Sequence, residues 1–352
     1  MHVVVVGCGS IATTHVRCIR LGAPGASITL VDRDPAVARQ LGEKLGVQDT
    51  ASSLEQVFSH CVPDAVHILT PLDSHVAIAT QALSVGCHVY VEKPIVPSRA
   101  DLQQLYDLAD TKGRHVAVGL SALGMPVIQR AHDIIRSGGM GRLISAHCDF
   151  LCAWPGNSIP YANPAHWAYR MRGGVLRNMA DHPLSVVAGA MDTVDAQSCV
   201  IKRRNILPHD NADLMHVVLE NRDQVGSFTL SLAHRNATRS VQYFLEGGTI
   251  SVDMGRQLFA VTRRKGPENA IQKVSTGFTS GLSMVTGTAS NLFNAAIGKL
   301  ARDPGIHGLV LNFYATIRGE ASLCVERERA LAILGVQDRL WGSDSDIART
   351  EA

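Results

Sequence analysis

Short apolar runs alternate with helix-length amphipathic stretches through the first 120 residues. The runs at 3–6, 27–31, 65–69, 88–91 and 115–118 are rich in β-branched residues and bounded by Gly, Pro or Asp, which predicts strands buried on both faces. Between them, 11–21, 35–45, 74–84 and 100–111 carry the period of crossover helices. Continuous apolar strands joined by helices predict a doubly wound parallel sheet. After a further helix near 127–136, the turn Ser137-Gly138-Gly139-Met140-Gly141 marks a change of pattern. Beyond it, longer strand candidates follow at 143–152, 214–219, 225–232, 241–245, 249–252 and 258–262, joined by hairpin turns such as Asn221-Arg222-Asp223 and Glu246-Gly247-Gly248. They predict a mostly antiparallel open sheet, interrupted by one helix after Gly173-Gly174, and three helix-like stretches close the chain. The expected fold is therefore α/β: a Rossmann-type doubly wound domain over 1–120, then an α/β domain with a large, mostly antiparallel open sheet over 121–352.

The stretch 277–298 holds no charged residue. Phe278, Leu282, Val285, Ala289, Leu292, Phe293 and Ala296 recur at helical spacing, with Ser, Thr and Asn on the other side. So many small polar residues argue against a membrane span, which takes about 20 mainly apolar residues. A helix packed on the sheet or on a second subunit is expected, ahead of contact with a membrane surface.

Composition narrows the function classes. Thirty-three Lys plus Arg against 31 Asp plus Glu give a net charge of +2 in 352 residues, too balanced for a phosphate backbone, so nucleic acid is not an expected partner. The eight cysteines form no C-x-x-C pair and read as small buried hydrophobes in a reducing compartment. No two histidines sit in an H-x-x-x-H arrangement, so no metal is expected. The chain enters a strand pattern at once, without a charged leader and apolar core, which reads as cytoplasmic.

Candidate chemistry begins at Gly7-Cys8-Gly9-Ser10-Ile11-Ala12, a G-x-G-x-x-A turn between the first strand and first helix. Its glycines permit a tight turn and close approach of a pyrophosphate, which Ser10, Ile11 and the helix amino-terminus would receive. Asp32 ends the second strand about 20 residues on, placed to bind both ribose hydroxyls and to repel a 2′-phosphate. NAD is thus the expected cofactor; the neighbouring Arg33, which could pair with that phosphate, keeps NADP as the second choice. Thr70-Pro71-Leu72-Asp73-Ser74-His75 and Glu92-Lys93-Pro94 leave the carboxyl ends of the fourth and fifth strands, where such sheets place ligands.

These motifs, with Gly173-Gly174 and His182 beyond, resemble the glucose-fructose oxidoreductase/inositol dehydrogenase (Gfo/Idh/MocA) family over nearly the whole chain. The resemblance implies a two-domain NAD(P)-dependent oxidoreductase acting on a hydroxyl or ketone of a sugar, sugar acid, inositol or sugar nucleotide, and a homo-oligomer, dimer or tetramer. It implies that Lys93 contacts nicotinamide ribose and substrate; an ammonium there would stabilise an alkoxide. It places Gly7, Gly9, Thr70, Pro71, His75 and Glu92 beside the cofactor. Where the family reads G-G-G-x-x-x-D-x-G-x-H, this chain has Arg172, Asn178 and Ala180 for the first Gly, the Asp and the later Gly, and keeps His182. Asn178 and His182, four residues apart on one helical face, would meet the substrate, with His182 as acid/base and Asn178 orienting. Trp154, Tyr161, His166, Trp167, Tyr169, Arg170 and Arg172 form the densest aromatic and basic stretch, suited to a sugar face and its acidic groups. At 120–124, Leu-Ser-Ala-Leu-Gly lacks the Arg-Phe pair the family often carries, so substrate contacts should differ there. Two other readings fit the same residues: a glycosidase that oxidises its sugar transiently, separated by net turnover of free NAD, and a dinucleotide-binding regulatory protein without catalysis, for which Asn178 is the only hint.

Overall fold

The computed structural model describes residues 1–153, 163–234, 236–263, 270–296, 301–342 and 348–351. They form two compact units: Met1–Gly124 with Asp303–Leu334, and Met125–Arg302 with Gly335–Ala352.

In the first unit six parallel strands run β1 (His2–Val6), β2 (Ser27–Val31), β3 (Asp49–Ala51), β4 (Ala65–Ile68), β5 (His88–Val91) and β6 (Val116–Val118), ordered 3-2-1-4-5-6. The all-apolar centre of β1 is fully buried, Val3, Val4 and Val5 having no exposed surface, as a strand covered on both faces requires. Helices α1 (Ala12–Gly22), α2 (Pro35–Leu45), α3 (Leu54–Phe58), α4 (His75–Ser84) and α5 (Arg99–Lys112) make the crossovers. Asp34 caps α2 by accepting from Ala36 N, and Ser98 caps α5 by accepting from Asp101 N. The strand β3 does not stand out in the sequence, because three residues with one buried side chain carry no periodicity.

Helix α9 (Pro304–Ile317), though near the carboxyl end, packs on α1. Its Phe313 and Tyr314 are wholly buried, and Arg318 donates to Gly22 O at 2.7 Å. Helix α10 (Arg327–Trp341) contributes its first residues to this unit, where Arg327 pairs with Asp110 at 2.6 Å and with Asp107.

The second unit carries β7 (Leu143–Ala153), β8 (Asp195–Lys202), β9 (Leu214–Glu220), β10 (Val225–His234), β11 (Thr238–Leu245), β12 (Gly248–Asp253), β13 (Leu258–Arg263) and β14 (Ala348–Glu351), ordered 13-12-11-7-10-9-8-14. All pairs are antiparallel except β7 with β10 and β8 with β14. Strands β9, β10 and β11 alternate buried and more exposed residues, so one face is core. That face receives α7 (Gly174–Ala188), while α6 (Pro126–Arg136) lies against β12. His132 of α6 meets Tyr243 Oη at 3.1 Å inside this core. The sequence pattern also misses β8, where a register shift between Ala196 and Ser198 breaks the alternation. Helix α8 (Ala270–Ala296) follows β13, the edge strand. Among the described residues, no helix is long and apolar enough to cross a membrane.

Candidate active site

Each unit holds its own share of the predicted site residues. In the first, they lie at the carboxyl ends of the parallel strands. Gly7 follows β1 with φ +95°, and a Cβ there would stand 2.9 Å from the Leu69 backbone and 3.0 Å from Thr70 N, so only glycine fits. A Cβ at Gly9 would meet nothing within 4 Å, so the loop is open where the fingerprint requires close approach. Ser10 is exposed and Ile11 half-buried. No side chain caps α1 and no acidic residue occupies its first turn, so its amino end keeps a positive field for an anion.

The Asp32 carboxylate accepts from Cys8 N at 2.9 Å and from Asp34 N at 3.0 Å, which fixes it against the glycine loop. Each oxygen retains capacity to accept from a ribose hydroxyl. Arg33 beside it is exposed. The glycine turn, the open loop and the anchored carboxylate have the geometry that a dinucleotide requires.

His75 is wholly buried, with Nε2 2.6 Å from Thr70 O and Nδ1 2.8 Å from Ile95 O. Its ring ties the turn after β4 to the loop after β5. Ser74 Oγ donates to Thr70 Oγ1 at 2.7 Å, and Pro71 is exposed. After β5, Glu92 is buried; its Oε2 accepts from Lys93 N at 3.0 Å and its Oε1 lies 3.1 Å from His15 Nε2. Lys93 is half-buried and precedes a cis Pro94.

Behind Glu92 lies a chain the sequence did not disclose. His15 Nδ1 stands 3.1 Å from His67 Nδ1, and His67 Nε2 stands 2.8 Å from Tyr314 Oη. His67 stacks on Tyr90 at 5.1 Å. Burial, then the neighbouring His15, holds the His67 pKa well below the usual histidine value. A neutral His67 ring has one N–H donor and one acceptor to share between the Tyr314 hydroxyl and His15 Nδ1, and His15 Nε2 faces the Glu92 carboxylate.

In the second unit, Gly173 and Gly174 both have positive φ, and a Cβ at Gly174 would collide with Asn211 Oδ1. They start α7, which carries Asn178 and His182 on one face; Asn178 is buried, and the half-buried His182 ring stacks on Phe150 of β7 at 5.3 Å and 11°. The Arg239 guanidinium lies 5.0 Å over the same Phe150 ring, and its Nε is buried without a hydrogen-bond partner. Phe150 and Arg239 were not among the predicted residues. Arg239 carries a legible signal, since it shares its strand parity with the buried Val241, Tyr243 and Leu245.

The aromatic and basic stretch is divided. Trp167–Tyr169 forms a single turn capped by His166, whose ring accepts from Ala168 N. Tyr169 is buried and meets His209 edge-on, and Trp167 is half-buried. Arg170 and Arg172 are exposed and donate to the carbonyls of Ala165 and Gly342. Trp154 and Tyr161 lie outside the described residues. Of the cysteines, Cys61 is exposed and Cys324 half-buried, while the other six are buried as expected.

The 3-2-1-4-5-6 parallel sheet with its glycine turn and anchored aspartate, joined to an open-sheet second unit, defines a two-domain dinucleotide-binding α/β protein. The "Oxidoreductase family, NAD-binding Rossmann fold" model matches residues 1–120, and the "GFO/IDH/MocA C-terminal domain" model matches residues 128–251. The chain belongs to the GFO/IDH/MocA oxidoreductase family, and residues 1–120 are its NAD-binding domain. A levoglucosan dehydrogenase of Pseudarthrobacter phenanthrenivorans is 22% identical over 175 residues, 49% of this chain and 44% of that protein. A D-xylose dehydrogenase of Paenarthrobacter nicotinovorans is 24% identical over 48% of this chain and 45% of its own. The chain thus spans about half the length of these curated relatives. Among solved structures, the WlbA dehydrogenase of Bordetella pertussis in complex with NADH and UDP-GlcNAcA superposes with a TM-score of 0.73 at 18% identity, covering 96% of this chain and 93% of that one. An Agrobacterium radiobacter oxidoreductase in complex with NAD+, L-tartaric acid and magnesium gives 0.75 at 13% identity, covering 98% and 96%. At these identities the two structures speak for the fold.

Proposed function

We propose that the protein is an NAD-dependent oxidoreductase that interconverts a secondary alcohol and a ketone on a sugar, sugar acid, inositol or sugar nucleotide. The observation that carries the reading is the placement of Gly7, Asp32 and Lys93 at the carboxyl ends of β1, β2 and β5 of one parallel sheet. The dehydrogenases of levoglucosan and D-xylose among the relatives support a carbohydrate substrate.

Bound nicotinamide would supply or accept the hydride at its C4. The remaining work falls to the chain. Gly7 to Ile11 bind the pyrophosphate, and Asp32 orients the adenosine ribose and disfavours a 2′-phosphate. Thr70, Pro71 and Glu92 shape the loops along the cofactor, and the buried His75 holds two of those loops in register. Lys93 stabilises negative charge on the reacting oxygen. His182 takes and returns the proton, a role its imidazole suits near neutral pH. Asn178, unable to titrate, orients the substrate, and Trp167, Tyr169, Arg170 and Arg172 contribute to its recognition. Arg239, beside the ring on which His182 stacks, adds a cation suited to a carboxylate or phosphate on the substrate.

Single-turnover absorbance of the nicotinamide tests this division. Lys93→Ala and His182→Ala should each slow the step about a hundredfold while NAD still binds through the Gly7 loop and Asp32. Normal rates in both variants would refute the assignment.

A further inference from the structure

Helix α8 is docked with its amphipathicity inverted. Among its residues of described burial, the half-buried positions are Ser283, Gly287, Asn291 and Asn294, all small or polar. A Cβ at Gly287 would stand 3.1 Å from Leu258, and Asn291 Nδ2 donates to the carbonyls of Arg256 and Gln257 at 2.8 and 3.2 Å. At 100° per residue the opposite side of the helix carries Phe278, Leu282, Val285, Ala289, Leu292 and Phe293. All six are exposed, Phe278 by 70% and Leu292 by 72%. Burying this stripe cannot be what attaches α8 to its own sheet.

The exposed stripe amounts to roughly 700 Å² of apolar surface, beyond the few hundred Å² a monomer normally shows and close to the ~800 Å² per partner of a stable interface. Its spacing selects the occupant. Phe278, Val285 and Leu292 repeat every seven residues, with Leu282, Ala289 and Ala296 four residues after each, the a and d positions of a coiled-coil seam. Run against a second copy of itself about a twofold axis at the middle of the helix, the seam is self-complementary: Phe278 faces Ala289 of the partner, and Leu282 faces Val285. Large side chains then meet small ones at both ends. Lys273 is the only ionisable residue in 270–296, so pairing brings no cluster of like charges together. A membrane-surface helix would instead carry Lys and Arg around its polar side.

We propose that α8 pairs antiparallel with α8 of a second copy of this chain, forming an isologous interface separate from the open sheet face. The test is native mass by light scattering of the full chain. The unmodified protein should show a multiple of 37.7 kDa, and the Leu282→Glu/Val285→Glu double variant, which sets four carboxylates at the twofold, should halve it while keeping the far-UV circular dichroism of the folded chain. In a Cys61→Ser/Cys324→Ser background, Val285→Cys should cross-link to its own copy with a bis-maleimide of about 8 Å, and Phe278→Cys should not, since its copy would lie about 11 residues, or roughly 16 Å, along the pair. The cross-link decides the matter even if the double variant fails to fold. A monomeric unmodified protein, an unchanged mass in the folded double variant, equal cross-linking at 278 and 285, or flotation of a monomer with phosphatidylcholine vesicles would overturn the proposal.

Discussion

Acidification probes the buried imidazole pair directly. His67 has no exposed surface, and the groups facing it are His15, Tyr90, Phe313 and Tyr314, with Glu92 one residue further along the chain of contacts. Burial holds its folded-state pKa well below the 6.5 of a free histidine. Between those two values the unfolded chain binds a proton that the folded one does not, so stability is fully present above about pH 6.5 and is lost as pH falls below it. For one such proton the loss is about 1 kcal/mol between pH 6.5 and 5.5, then about 1.4 kcal/mol for each further unit. His88, held down to about 4 chiefly by partial burial, acts in the same direction, so the contribution of His67 is read as a difference between proteins. His67→Gln keeps a donor and an acceptor and removes the titration. Hydrogen exchange of peptides spanning β4 and β5, corrected for intrinsic pH dependence, should show protection falling about fivefold more in the unmodified protein than in the variant over that first unit. Parallel pH dependences would show that His67 protonates in the folded state, against the effect of its burial.

Three further outcomes follow from the same geometry. Asp32→Ala should narrow the preference for NAD over NADP by removing repulsion of the 2′-phosphate, read by titration of both cofactors; a preference for NADP in the unmodified protein would contradict the ribose assignment. Asn178→Ala should slow the hydride step less than His182→Ala, and Asn178→Asp should raise the His182 pKa by adding a carboxylate one helical turn away, moving the pH profile of single-turnover rates upward. Gly174→Ala should cost at least 1–3 kcal/mol of thermal stability, since it forces a Cβ onto a positive φ and into Asn211.

Legibility in the sequence followed the strength of the local signal. The apolar runs of β1, β2, β4 and β5 have no face to show to water, and they stand where the pattern put them. Strands β3 and β8 escaped because one is too short to show a period and the other carries a bulge that breaks its own. The glycine turn and Asp32 were visible because backbone geometry demands particular residues there. His15 and His67 were not, because a histidine inside an apolar strand or helix carries no mark of the partner it will meet; Tyr314, lying 247 residues from His67, is brought in only by the fold. Helix α8 shows the limit of amphipathic reasoning. Its apolar stripe was legible, but periodicity does not say whether that stripe is buried, and here the small polar side docks while the apolar side stays open.

The most direct measurement of the central claim follows deuterium from substrate carbon to nicotinamide. The intact protein, supplied with NAD and a panel of carbon-deuterated sugars, sugar acids, inositols and sugar nucleotides, should release net deuterated NADH with at least one class, and Lys93→Ala should release about a hundredfold less. Tight binding of NAD with no deuterium transferred from any member of the panel, or transfer without net release of NADH, would contradict the assignment as an oxidoreductase.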